Sequence, residues 1–334
     1  MLRYIYFIYK EGDINMIKYY KSEGKITSEI PNYEKGCWIS IIKPNNSEIN
    51  YICDKFNIYQ NDFRSALDRE ERARLEIEDE YNMVLIDIPI DESDDSIHYT
   101  TVPLGIFIMN ETIITVCSME SNILEDFINN KIKDFNTSKK TRFLFQIFKQ
   151  NALYYLKYLR QIDKRTSEIE ENIYNSVQNK ELIQLLNLEK SLIYFSTSLK
   201  SNEIIINKVI RSKHIKKFED DEDFLEEVII ENKQALEMAT IYGDILSRVM
   251  DAFSSIISNN QNRVMSILTI VTLAMSFMTI ISGLFGMNLE GIPFNQHPNG
   301  FFIIAGFSIL ISLTLSFVLF FIFSEKKNNI LKNN

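Results

Sequence analysis

The pattern of apolar and polar positions changes character twice along the chain. Up to about residue 136, short apolar runs alternate with polar clusters. Tyr4–Tyr9, Cys37–Ile42, Met83–Ile88, Leu104–Met109 and Thr112–Cys117 are rich in β-branched and aromatic residues and are bounded by Gly, Pro and Asn, which predicts strands. Phe107–Ile114, folded about Asn110-Glu111, predicts a hairpin with a tight polar turn. Asn61–Glu80 and Met119–Lys131 predict helices between the strands. Strands interleaved with helices suggest an α/β domain over residues 1–136, a mixed sheet flanked by helices.

From Thr137 to Ser282 there is no proline and a single glycine, Gly243. Apolar positions now recur at three- and four-residue steps, as in Leu153, Leu156, Leu159, Ile162 and Ile169. Residues 137–263 therefore read as a stalk of long helices, with Thr137 or Ser138 as the first cap. A charged break at Lys213–Asp223 separates an outgoing pair of helices from one last helix beginning near Phe224. That helix meets no breaker before the apolar C-terminal run, so it extends for roughly 60 residues, or ~90 Å. A rod of this kind couples a soluble domain to a membrane span.

The second change comes at Val264. Residues 264–286 carry no charge and residues 301–323 carry none either, and about 20 apolar residues suffice to cross a bilayer as helix. They predict two transmembrane helices joined by an external loop over 287–300 and followed by a basic tail over 324–334. Arg248 and Arg263 precede the first span and Lys326, Lys327 and Lys332 follow the second, while the loop has no Lys or Arg. The positive-inside rule then places both termini in the cytoplasm, in a multi-pass protein of the inner (plasma) membrane.

Composition narrows the chemistry. A formal net charge of -9 argues against nucleic acid, whose phosphates need clustered Lys and Arg, and makes divalent cations the natural counterpart. Cys37, Cys53 and Cys117 stand in no metal-ligand spacing and read as buried thiols. The N-terminal segment has no apolar region of signal-peptide length, which keeps the soluble part cytosolic. Phosphate-binding glycine loops, nucleophile elbows and paired-histidine zinc motifs are all missing from the sequence, so no enzyme chemistry is expected.

Gly286-Met287-Asn288, at the outer end of the first of two C-terminal spans, resembles the signature of the CorA family of divalent-metal ion channels. The likeness extends to Phe63-Arg64-Ser65-Ala66-Leu67-Asp68, to Pro103-Leu104-Gly105-Ile106-Phe107, and to Ser258-Asn259 with Asn262-Arg263-Val264-Met265. It implies a funnel-shaped homopentamer: α/β cytosolic domains, long stalk helices, and a pore lined by the first spans with the second spans outside them. Two positions depart from the family pattern. Phe285 stands where the aromatic before the tripeptide is usually tyrosine. Phe277 replaces a proline common two residues before Thr279, which implies a straighter helix.

Within that frame, Met265, Leu268, Thr272, Ser276, Thr279 and Gly283 fall on one seam of the first span, at steps of three and four residues. The seam is apolar at the cytosolic end and hydroxyl-bearing toward the outside. Apolar rings can gate by dewetting, and hydroxyls can hydrogen-bond a hydrated ion. Neither span contains a carboxylate, histidine or cysteine able to strip the ion bare. Mg²⁺ sheds water reluctantly, so Gly286, Met287 and Asn288 are expected to meet it hydrated, with Glu290 raising the local cation concentration. The resemblance further implies a regulatory Mg²⁺ site between subunits that includes Asp251; the acidic loop of Asp91, Glu92, Asp94 and Asp95 offers candidate partners. Passage of Mg²⁺ down the membrane potential, closed by intracellular Mg²⁺, is the leading expectation. Co²⁺, Ni²⁺ or Zn²⁺ are other possible ions. Alternatives are a zinc or other transition-metal transporter of the same fold and, from another class, a non-conducting membrane sensor or scaffold.

Overall fold

The structure, a computed structural model, describes residues 16–92, 99–175, 179–215, 221–287, 293 and 298–332. Its first strands are β1 (Ile17–Glu23), β2 (Ile26–Ile30) and β3 (Trp38–Ile42), followed by the helices α1 (Asn46–Phe56) and α2 (Gln60–Ser65). Next come β4 (Arg74–Ile77), β5 (Tyr81–Asp91), β6 (Tyr99–Met109) and β7 (Ile113–Cys117), then α3 (Asn122–Ile128). Four long helices complete the chain: α4 (Lys140–Asn175), α5 (Asn179–Arg211), α6 (Glu222–Phe285) and α7 (Gly300–Lys332). Close contacts group the chain into two units, Met1–Met250 and Asp251–Asn334.

In the first unit the strands form one seven-stranded sheet in the order β2-β1-β3-β7-β6-β5-β4. Only β3 and β7 run parallel, in register Trp38↔Ile113 to Ile42↔Cys117, and the remaining pairs are antiparallel, which makes the sheet mixed. Strand alternation sends residues to two cores. On one face Trp38, Val84, Ile86 and Ile106 pack with Phe127 of α3, Phe143 and Phe148 of α4, and Val209 of α5. Trp38 is fully buried, its ring 5.1 Å from that of Phe143, and its indole N–H donates to Thr115 Oγ1 at 2.9 Å. On the other face Ile39, Ile41, Met83 and Leu85 pack with Ile49 and Ile52 of α1 and Phe63 of α2. All three cysteines are buried and reduced.

Gly105 explains how α2 lies so close to the sheet. A Cβ there would sit 2.5 Å from the Ala66 Cβ, so the close approach requires glycine. Phe63 stacks on Phe107 with ring centroids 6.0 Å apart. Two of the segments that carry the family likeness therefore touch each other in the fold.

Toward each end of the sheet an asparagine amide acts as a neighbouring peptide for one residue. At the β2 edge, Asn130 Nδ2 donates to Thr27 O at 3.0 Å while Thr27 N donates to Asn130 Oδ1 at 2.7 Å. At the other end β4 stops opposite Leu85, leaving Asp87 beyond its ladder. There Asn202 Nδ2 donates to Asp87 O at 2.7 Å and Asp87 N donates to Asn202 Oδ1 at 2.9 Å. Asn151 Nδ2 and Tyr155 Oη also donate to Asp87 O, at 2.9 and 3.1 Å. At Thr27 and Asp87 the backbone groups left over by the strand ladders are thus already bonded.

Three expectations need correction or placing. The helix over Asn61–Glu80 exists only as α2; residues 74–77 are strand β4, antiparallel to β5. Leu75 packs against the core, and Arg74 bridges Glu71 and Glu76 at 2.6 Å each, so a pattern of good helix formers is overruled by sheet pairing. Neither Thr137 nor Ser138 begins α4, which starts at Lys140. Thr137 instead exchanges bonds with Ser22: Ser22 N donates to Thr137 Oγ1 at 3.1 Å and Thr137 N to Ser22 Oγ at 3.0 Å. The strand expected at Tyr4–Tyr9 lies outside the described residues. The Phe107–Ile114 hairpin is present, with Ile108 opposite Ile113 and Met109 N donating to Thr112 O at 3.0 Å.

Candidate ion pathway

The second unit contains the C-terminal part of α6, from Asp251, together with α7. Both helices are long and apolar enough to cross a membrane, α7 over Gly300–Phe321. Their side chains divide by face. On α6, Ser266, Ile270, Ala274, Met278, Ile281 and Phe285 are shielded, repeating at steps of four and three. On α7 the shielded positions include Ala305, Ser308, Ile311, Ser312 and Leu315, again a single stripe. At ~100° per residue, the sequence-derived seam on α6 is centred about 180° from the shielded stripe. Met265, Leu268, Thr272, Ser276, Thr279 and Gly283 are all exposed there, Met265 at 59% and Leu268 at 57%.

The hydroxyls of that seam are oriented by the helix itself. Thr272 Oγ1 donates to Leu268 O at 2.8 Å, Ser276 Oγ to Thr272 O at 2.8 Å, and Thr279 Oγ1 to Met275 O at 3.0 Å. A hydroxyl has one proton and two lone pairs, so each oxygen with its proton committed to the backbone presents only acceptors outward. Thr272, Met275, Ser276, Thr279 and Ile280 line a shallow open groove along this face. The arrangement suits a passing species that donates hydrogen bonds, as the outward protons of a cation's water shell do.

At the C-terminal end of α6, Gly286 N donates to Ser282 O at 2.9 Å, and Met287, half exposed, follows the last helical turn. Asn288 and Glu290 lie outside the described residues. Asp251 is exposed on α6, and its backbone carbonyl accepts from Ser255 Oγ at 3.1 Å. Asp91 is exposed at the end of β5, opposite Tyr99, and the neighbouring Glu92 pairs with Arg69 at 2.9 Å. Asp94 and Asp95 also lie outside the described residues. Among the described residues no three His, Cys, Asp or Glu side chains of one chain gather closely enough to hold a metal ion.

Sequence reasoning passed over the serines of α7. Ser312 is 1% exposed and its Oγ donates across to Ala274 O of α6 at 2.9 Å. The signal was available: Ser308, Ser312 and Ser316 recur every four residues in an otherwise apolar span, the spacing of a helix-contact stripe.

Comparison with known proteins bears on the whole chain. The cobalt/magnesium transport protein CorA of Methanocaldococcus jannaschii is 25% identical over 292 residues, 84% of this chain and 89% of that protein. The magnesium transport protein CorA of Helicobacter pylori is 21% identical over 298 residues, 87% of this chain and 89% of its own length. The complete structure of the M. jannaschii CorA magnesium transporter superposes with a TM-score of 0.75 at 22% identity, covering 92% of this chain and 98% of that one, and so shares the fold. The model of the CorA-like Mg²⁺ transporter protein family matches residues 33–327. A match of that extent places this chain in the CorA-like Mg²⁺ transporter family.

Proposed function

We propose that the chain forms a homopentameric channel that passes hydrated Mg²⁺ through the inner membrane, with every copy of α6 contributing its seam to the pore wall. Supporting this is the outward, acceptor-only face of Thr272, Ser276 and Thr279, set opposite the face shielded toward α7. Water bound to a divalent cation is polarised and donates strongly. Anions, which require donors, find none on this surface. The ion never needs to lose its shell, in keeping with the reluctance of Mg²⁺ to dehydrate.

Each ring acts at a different stage. Asn288, just beyond the described helix, supplies amide carbonyls at the outer mouth, and Glu290 concentrates cations there. Leu268 and Met265 form the apolar constriction nearer the cytosol, where dewetting closes the path. Two charges moving through a 100 mV inside-negative potential release roughly 4.6 kcal/mol, so uptake requires no coupled reaction. Both termini then face the cytoplasm. Intracellular Mg²⁺ bound between neighbouring subunits by Asp251, with Asp91, Asp94 and Asp95 as partners, favours the closed state. Carboxylate oxygens are the hard donors this ion prefers.

The deciding experiment is Mg²⁺ flux into proteoliposomes. Asn288→Ala is expected to abolish uptake while the pentamer persists on size exclusion; undiminished uptake overturns the assignment. Zn²⁺ added in competition separates the ions. Zn²⁺ is expected to inhibit Mg²⁺ flux weakly, since the polar ligands of the seam are hydroxyl oxygens and thiolate and imidazole ligands are absent from both spans.

A further inference from the structure

Hydroxyls in a membrane helix ordinarily bond back to their own helix. Here Thr272, Ser276 and Thr279 on α6, and Ser308, Thr314 and Ser316 on α7, all donate to carbonyls three or four residues earlier. Ser312 does not. Its hydroxyl leaves α7 and reaches Ala274 O on α6 at 2.9 Å, from a position 1% exposed. The acceptor also has a defined place: Ala274 sits within the shielded stripe of α6, about half a turn around the helix from the seam.

A bond to a backbone carbonyl constrains a helix differently from apolar packing. Leu, Ile and Phe side chains slide past one another at little cost within a lipid-like environment, and apolar contact there has no hydrophobic driving force. A hydroxyl-to-carbonyl bond has a direction, and it is lost when α6 turns by more than a few tens of degrees. The small side chain of Ala274 allows the close approach it needs.

From this geometry we infer that Ser312 is a positioning residue: its bond to Ala274 O sets the rotation of α6 and thereby keeps Thr272, Ser276 and Thr279 turned toward the ion. The role rests on α6 as pore wall, and it assigns to the outer helix a part in selectivity that packing alone does not supply. Ser312 never meets the ion.

The test uses the full-length protein in liposomes and a membrane-impermeant, positively charged thiol reagent. The native cysteines Cys37, Cys53 and Cys117 are buried in the first unit, so an introduced cysteine reports alone. Ser276→Cys marks the seam and Met278→Cys the shielded face. With Ser312 intact, the seam cysteine is expected to react much faster than the other. Ser312→Ala is expected to reduce that ratio by about threefold to twentyfold, the range spanned by interhelical hydrogen bonds in membranes. Ser312→Thr restores the ratio and Ser312→Val, equal in shape but without the hydroxyl, does not. The Thr and Val pair decides the matter if the alanine variant fails to assemble. An unchanged ratio in both Ser312→Ala and Ser312→Val overturns the positioning role while leaving the pore intact. A seam cysteine unreactive even beside native Ser312 overturns the pore wall itself, and the positioning role with it.

Discussion

Asp87 shows how a single residue can record the cost of an architecture. It lies where β4 ends, largely enclosed by α4 and α5, and burial pushes its carboxyl from the usual 3.8 up to about 6, against the lowering effect of a bond from Ser198. Nearby Tyr155 is itself buried, and the negative Asp87 is one reason its phenol is held well above 10. Above about pH 6 the carboxylate is ionised in folded and unfolded chains alike, and the folded state bears the full penalty. As pH falls from 6 toward 4, the folded state gains a proton the unfolded state lacks, so this residue's contribution to stability rises. Two pKa units correspond to up to about 3 kcal/mol. Asp87→Asn is therefore expected to raise the melting temperature at pH 7 by about 5 °C. The gap between variant and wild type should shrink to about half by pH 5 and close below about pH 4, and a constant gap would point to a non-ionic effect. None of this was legible in the sequence: an aspartate inside an apolar run reads as an outward strand position, and only the early end of β4 explains why it is enclosed. Trp38, by contrast, was readable, since the only tryptophan in a strand-like run has few places to go but the core.

At the scale of elements, legibility followed the length of the pattern. The start of α6 at Glu222 and its run through to Phe285 follow from the absence of breakers, and two spans follow from charge-free runs. Short elements fared worse. The β1–β2 hairpin turns on Gly24 at φ +67°, the first of two loop residues, a position that favours glycine; its surrounding lysines and glutamates hid the strands. The Arg- and Glu-rich segment before β5 has helix-forming composition, yet β4 is set by its partner strand rather than by local preference. The seam of α6 was legible as a spacing, but the direction of its hydroxyl protons was not, and the chemistry depends on that direction. Thr279→Val keeps the shape and replaces acceptors with a methyl group. Losing acceptors repeated around a ring, each worth about 1 kcal/mol, is expected to lower Mg²⁺ flux by about tenfold or more. Thr279→Ser, which keeps the oxygen, should retain most of it. Equal flux in the Val and Ser variants would show that the hydroxyl does not meet the ion's water.

At the scale of the whole molecule, α6 belongs to both units: its first part lies among residues 1–250 and its remainder forms the spanning segment. An unbroken helix lets an event on a soluble carboxylate bear on a membrane seam without any intervening loop. Asp251 is the last acid of α6 before its apolar run, and the chain carries nine more acidic than basic residues as a formal net charge of -9. In the pentamer proposed above, such carboxylates repel one another unless a cation lies between them, and the proposed regulatory Mg²⁺ replaces repulsion with a bridge. Removing the ion then destabilises the closed arrangement, a coupling of typically 1–3 kcal/mol in allosteric proteins. Chelating internal Mg²⁺ is accordingly expected to raise flux severalfold and to speed proteolysis of the soluble unit in the wild type. In a variant carrying Asp251→Asn and Asp91→Asn, flux should already be high and both responses to chelation should disappear. A variant that still closes when millimolar Mg²⁺ is restored would move the regulatory ion to other ligands, since the amides of these positions keep size and polarity but lose the charge that the bridge requires.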